Sequence, residues 1–164
     1  MAKKKAKFKV VYNAPVTLTF AIWAVIVLVV NQFVAAELIP SLFTVPGKIG
    51  SEMAFRWSNP LDYVRLFTHV LGHDDWSHLL GTMSFILLLG PLLEERYGSP
   101  VLALMMSITA LVTGVVNVCF FSRPMVGASG IAFMMILLSS FTAISKKQIP
   151  LTFLLVLILY VGRE

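Results

Sequence analysis

The chain has 164 residues, of which 58% are hydrophobic and 13% charged, and its mean hydropathy is +0.87. A soluble domain carries about twice that share of charge, so a water-facing globule is excluded and lipid must cover much of the apolar side chain. The net charge of +5 includes the cluster Lys3, Lys4, Lys5, Lys7 and Lys9 ahead of an apolar run, which fits a membrane topology signal better than a nucleic-acid patch.

Five apolar segments predict an all-α, polytopic membrane helix bundle. The first, residues 16–36, is long enough to span. No small-residue cleavage site follows it cleanly, so it reads as an uncleaved helix rather than a signal peptide. Residues 38–75 form a connection far longer than usual between helices. It holds Phe55, Trp57, Leu66 and Phe67, so it is expected to fold on the outer bilayer surface, with Asn59-Pro60 opening a short helix. The second span, residues 76–93, is opened by Asp74 and Asp75 as caps and closed at Gly98. Ser99 and Pro100 start the third, residues 100–121. The fourth covers residues 129–144 and the fifth residues 150–164. That last segment gives about 22 Å of helix against a core of about 30 Å, so the chain is expected to be incomplete at its C-terminus. A cytoplasmic N-terminus also puts Arg96, Lys146 and Lys147 inside, as the balance of basic residues favours.

This topology brings polar residues to one depth. His78 and Thr82 lie four apart on one face near the outer end of the second span. Ser129 opens the fourth span, which runs the opposite way. Polar groups so placed face a bundle interior or a wet cavity. The run Gly127-Ala128-Ser129-Gly130 is also explained by close helix packing alone. It is not the nucleophile elbow of soluble hydrolases, because Ile131 stands where that motif needs glycine. His69 and His73 have helical spacing but no intervening glutamate, so the zinc-protease signature is missing and no metal is expected. Cys119 is the only cysteine, which excludes a disulfide framework within the chain.

Taken together, Arg65-Leu66-Phe67-Thr68-His69, His73, Trp76-Ser77-His78-Leu79, the spaced Gly90, Glu94 and Gly98, and Gly127-Ala128-Ser129-Gly130 resemble the rhomboid family of intramembrane serine proteases. The resemblance covers most of the chain. It implies one membrane domain over residues 1–164 with five of six core helices present, cleaving single-span transmembrane proteins near the outer face of the bilayer. Ser129 would be the nucleophile, and His78, Thr82 and the Ser129 N–H would form the oxyanion hole. Gly127 and Gly130 would shape the motif, Phe133 would pack against the catalytic histidine, and Arg65 and Glu94 would brace loop and helix ends. The fifth helix would be a lateral gate. No cofactor and no nucleic-acid partner are implied; the partners are the lipid bilayer and the substrates. The lysine-led first helix favours a bacterial plasma membrane.

Three departures accompany the resemblance. The family's general-base histidine lies on a sixth helix, expected beyond residue 164, and a chain ending at Glu164 would be nearly inactive. Thr82 stands where the family usually has asparagine, and Val64 where it has tryptophan. The alternative is therefore a catalytically dead rhomboid-like protein that binds membrane-protein clients. A small transporter is weaker, because no acidic residue lies mid-membrane to carry ions.

Overall fold

The computed structural model describes residues 12–144 and positions 151, 154, 155 and 158. Its described elements are all helical: α1 (Pro15–Phe33), α2 (Leu38–Leu42), α3 (Pro60–Thr68) with a 3-10 turn at His69–Leu71, α4 (Trp76–Tyr97), α5 (Ser99–Phe120) and α6 (Ser129–Ile144). Among the described residues, β-type pairing is limited to two isolated bridges, Val45 with Met125 and Gly47 with Ala54.

Three of these helices, α1, α4 and α5, are long and apolar enough to cross a membrane. At 22 residues each, α4 and α5 rise about 33 Å, and a hydrocarbon core is about 30 Å thick. This corrects the expectation of five spans out of a six-helix core. With 16 residues, α6 rises only about 24 Å. Its uncharged run imitates a span in composition but lacks the length. The expected fifth span, residues 150–164, lies outside the described residues apart from isolated positions, as do the amino-terminal lysines and Lys146-Lys147.

The boundaries shift for local reasons. Helix α1 ends at Phe33, because the chain turns back and the Asn31 side chain accepts a hydrogen bond from the Ile39 N–H at 2.8 Å. Helix α4 continues past Leu93 to Tyr97 and contains Pro91. It packs on α6, α1 and α5. Leu79, Met83 and Ile86 of α4 meet Ala24 and Leu28 of α1 and Ile131, Ala132 and Met135 of α6 in one core.

The extension of α4 carries a carboxylate that ties three helices together. Ala14 offers α1 no side-chain cap, leaving its first N–H groups in need of acceptors. Buried Glu94 supplies them: it accepts from Val16 N–H at 2.9 Å, Thr17 N–H at 3.0 Å, Thr17 Oγ1 at 2.8 Å and Ser99 Oγ, at the start of α5, at 2.7 Å. Negative charge is also favoured at a helix N-terminus. Glu94→Ala would strand these donors and is expected to destabilise the fold by about 3 kcal/mol. Thermal unfolding in detergent reads this, and a wild-type midpoint would remove the tie from the account.

The connection over residues 38–75 is anchored from two sides. Val45 and Met125 exchange backbone hydrogen bonds at 2.9 and 3.0 Å, and Asn117 Nδ2 of α5 donates to the carbonyls of Pro46 and Arg123 at 3.1 Å. Within it, α3 is inverted relative to a soluble amphipathic helix. It buries Asp62 and Arg65 beside Leu66, and exposes Leu61, Tyr63, Val64 and Phe67. A contiguous apolar face of this kind is matched by lipid better than by water. Together with the three long helices, this makes the chain an integral membrane protein.

Candidate functional site

The first turn of α4 is set by Asp75, whose side chain accepts from the His78 N–H at 2.8 Å. Asp74 does not cap; its Oδ2 lies 3.8 Å from His78 Nδ1. The other ring nitrogen, Nε2, is buried and has no hydrogen-bond partner. Thr82, one turn further along, is buried. The His78 ring also lies edge-on to the buried His73 ring, with centroids 5.0 Å apart and planes at 69°.

The opening of α6 meets this ring. Gly127 has φ +116°, a left-handed conformation that side chains rarely adopt, and a Cβ there would lie 2.7 Å from His78 Cε1 and 2.8 Å from Nε2. Glycine is therefore required twice, for backbone conformation and for close approach. The Gly127 N–H donates to the His69 carbonyl at 3.0 Å, which fixes the strand of chain leading into Ser129. Ser129 is the first residue of α6, and the Ala132 N–H bonds the Ala128 carbonyl at 3.0 Å to start the helix. At Gly130 a side chain would meet Thr113 Cγ2 of α5 at 2.6 Å. Phe133 is partly buried against the core.

Two named candidates lie elsewhere. Glu94 sits at the opposite end of α4. Arg65 stands in α3, donating Nε and Nη2 to the Ser41 carbonyl and Nη1 to Asp62 at 2.6 Å. Sequence reasoning missed Asn117, Thr113 and Asp62. A buried amide in an apolar helix is itself a signal, so Asn117 could have been found that way.

Burial dominates the chemistry of the two loop histidines. His69 is lowered from its ordinary value by desolvation, partly offset by the Arg65 and Leu66 backbone. His73 is pushed down to about 4, first by burial and then by neighbouring His78, against a weaker opposing contribution from the Leu71 backbone. Native His73 thus stays neutral where an unfolded histidine, near 6.5, takes up a proton. The unfolded state binds more protons in that interval, so stability is complete above about pH 6.5 and falls as pH drops towards 4. The expected loss is up to about 3 kcal/mol, with His69 acting in the same direction. Denaturation midpoints at pH 7.5 and 4.5 measure it, and the dependence should flatten in His73→Phe. An unchanged slope in that variant would reject the assignment.

Among families of known proteins, the model of the rhomboid domain matches residues 60–162, more than half of the chain. The chain belongs to the rhomboid family. No curated protein matches it. The matched region of this rhomboid begins at α3 and includes His78, Thr82 and the Gly127–Gly130 motif. It also includes the contact between the first turns of α4 and α6.

Proposed function

We propose that this rhomboid is an intramembrane serine endopeptidase that cleaves single-span transmembrane proteins near the outer face of the bilayer. Its N-terminus would be cytoplasmic, in a bacterial plasma membrane, with residues 1–164 forming one membrane domain. The supporting observation is the packing of Gly127 against the His78 ring, two residues before Ser129. In this reading Ser129 attacks the scissile carbonyl. His78 Nε2–H, the Thr82 hydroxyl and the Ser129 N–H stabilise the oxyanion, as fixed donors do well in a dry site. A serine hydroxyl also needs a base, and the family resemblance assigns that role to a histidine on a sixth helix. Gly127, Gly130 and Phe133 shape the pocket, while Arg65 and Glu94 hold the surrounding elements.

The test is a fluorophosphonate probe on the complete gene product in detergent, with peptide mapping. Labelling at Ser129 is the expected result; absence of label from a folded protein rejects the proposal. The second reading, a client-binding relative without catalysis, is favoured by the short hydroxyl of Thr82 where an amide is usual. It predicts no labelling together with specific retention of single-span membrane proteins.

A further inference from the structure

A second polar site lies in the connection over residues 38–75. A cavity of about 410 Å³ opens between the 46–56 turn and α3, with Ser51, Glu52, Arg56, Asp62 and Arg65 in its wall. Two guanidinium groups face two carboxylates, so the lining is neutral overall, but the four groups are unequally engaged. Buried Asp62 is well engaged, accepting from the Arg56 N–H at 2.9 Å, Asn59 Nδ2 at 2.9 Å and Arg65 Nη1 at 2.6 Å. Arg65 uses three of a guanidinium's five N–H donors on Ser41 and Asp62, leaving two. The Arg56 side chain is 71% exposed, with Nε 4.0 Å from Asp62. Ser51 Oγ is buried without a hydrogen-bond partner, an uncommon condition in a native fold. Glu52 is exposed and forms no ion pair among the described residues.

The surroundings give the depth of this cavity. Ile49 is 71% and Trp57 65% exposed, and Tyr63 projects beside the outward apolar residues of α3. The Phe55 ring stands edge-on between Trp57 and Tyr63, with centroids 5.1 and 5.3 Å away. Exposed tryptophan and tyrosine beside apolar side chains mark the membrane–water interface. Spare donors for an anion and one unpaired carboxylate for a cation therefore open at the level of lipid headgroups.

We propose that this cavity binds the phosphoethanolamine group of an aminophospholipid. The phosphate is taken by Arg56, the spare Arg65 donors and the Ser51 hydroxyl, and the ammonium by Glu52. Arginine suits phosphate through its planar fork of donors. A neutral lining favours a zwitterion over a purely anionic head, and a primary ammonium can donate hydrogen bonds to Glu52 where a quaternary one cannot. The site is independent of the protease reading.

Native mass spectrometry of the delipidated, complete protein tests this with four probes: dihexanoyl phosphatidylethanolamine, the choline and glycerol analogues, and soluble O-phosphoethanolamine. The ethanolamine lipid should bind about fivefold or more tighter than either analogue. Arg56→Ala should weaken it about tenfold, and Glu52→Gln should erase the preference over choline. Both residues are exposed, so neither change threatens the fold. Tighter binding of the lipid than of O-phosphoethanolamine assigns the ligand to the bilayer, whereas equal binding assigns a soluble phosphoethanolamine to the same site. Equal affinity for the three lipids, or wild-type affinity in both variants, overturns the proposal.

Discussion

Replacing Ser129 with alanine is expected to abolish cleavage of a membrane-anchored substrate by the complete protein and to remove all probe labelling at this site. The size of the loss follows from the chemistry. Without the hydroxyl no acyl-enzyme can form, and deleting the nucleophile of a serine protease costs about 10⁶-fold in the well-studied subtilisin case. Ser129 occupies the first turn of α6, where a small alanine is a good helix former, so the unfolding midpoint should stay close to wild type. Cleavage that persists in the alanine variant, measured on the same substrate and protein concentration, would end the protease proposal.

Gly127→Ala is expected to be almost as damaging by a different route. Its methyl group would come within 2.7 Å of His78 Cε1, and its backbone would have to hold φ +116°. The backbone strain alone costs about 1–3 kcal/mol. Either the His78 ring moves or the Gly127–Ser129 segment does, and a displacement near 1 Å in a catalytic constellation costs about 100-fold. The rate of fluorophosphonate labelling should therefore fall far more than thermal stability does. A wild-type labelling rate would mean that the glycine–imidazole contact plays no part in the working site.

How much of this was legible in the sequence varies from residue to residue. Helices α4 and α5 announced themselves through long apolar runs, the acidic pair ahead of Trp76, and Ser99-Pro100. The common depth of His78 and the Gly127–Gly130 run also followed from topology, and the structure packs Gly127 on His78. Which aspartate caps α4 did not follow. Asp74 and Asp75 look alike in sequence, but only Asp75 reaches the His78 N–H. Hydropathy ended the second span at Leu93 because Glu94 is charged; its charge is matched by donors from α1 and Ser99, a compensation that involves residues 77 and 78 positions away. The same index counted α6 as a span: its bounds were legible, but its 16 residues are too few to count among the helices long enough to cross. In α3 the periodicity was present but its direction was hidden, because a single sequence does not say whether the medium outside is water or lipid.

That inside-out helix has a consequence for how the protein holds together. Residues 60–68 carry Asp62 and Arg65, so hydropathy alone does not drive them into the bilayer, and their ionic pair is covered only once the Ser41 carbonyl and the neighbouring helices are in place. In the folded protein the segment rests against α5 with that pair covered. The Asp62–Arg65 pair, closed on the Ser41 carbonyl, thus latches this helix to the chain that leads into it.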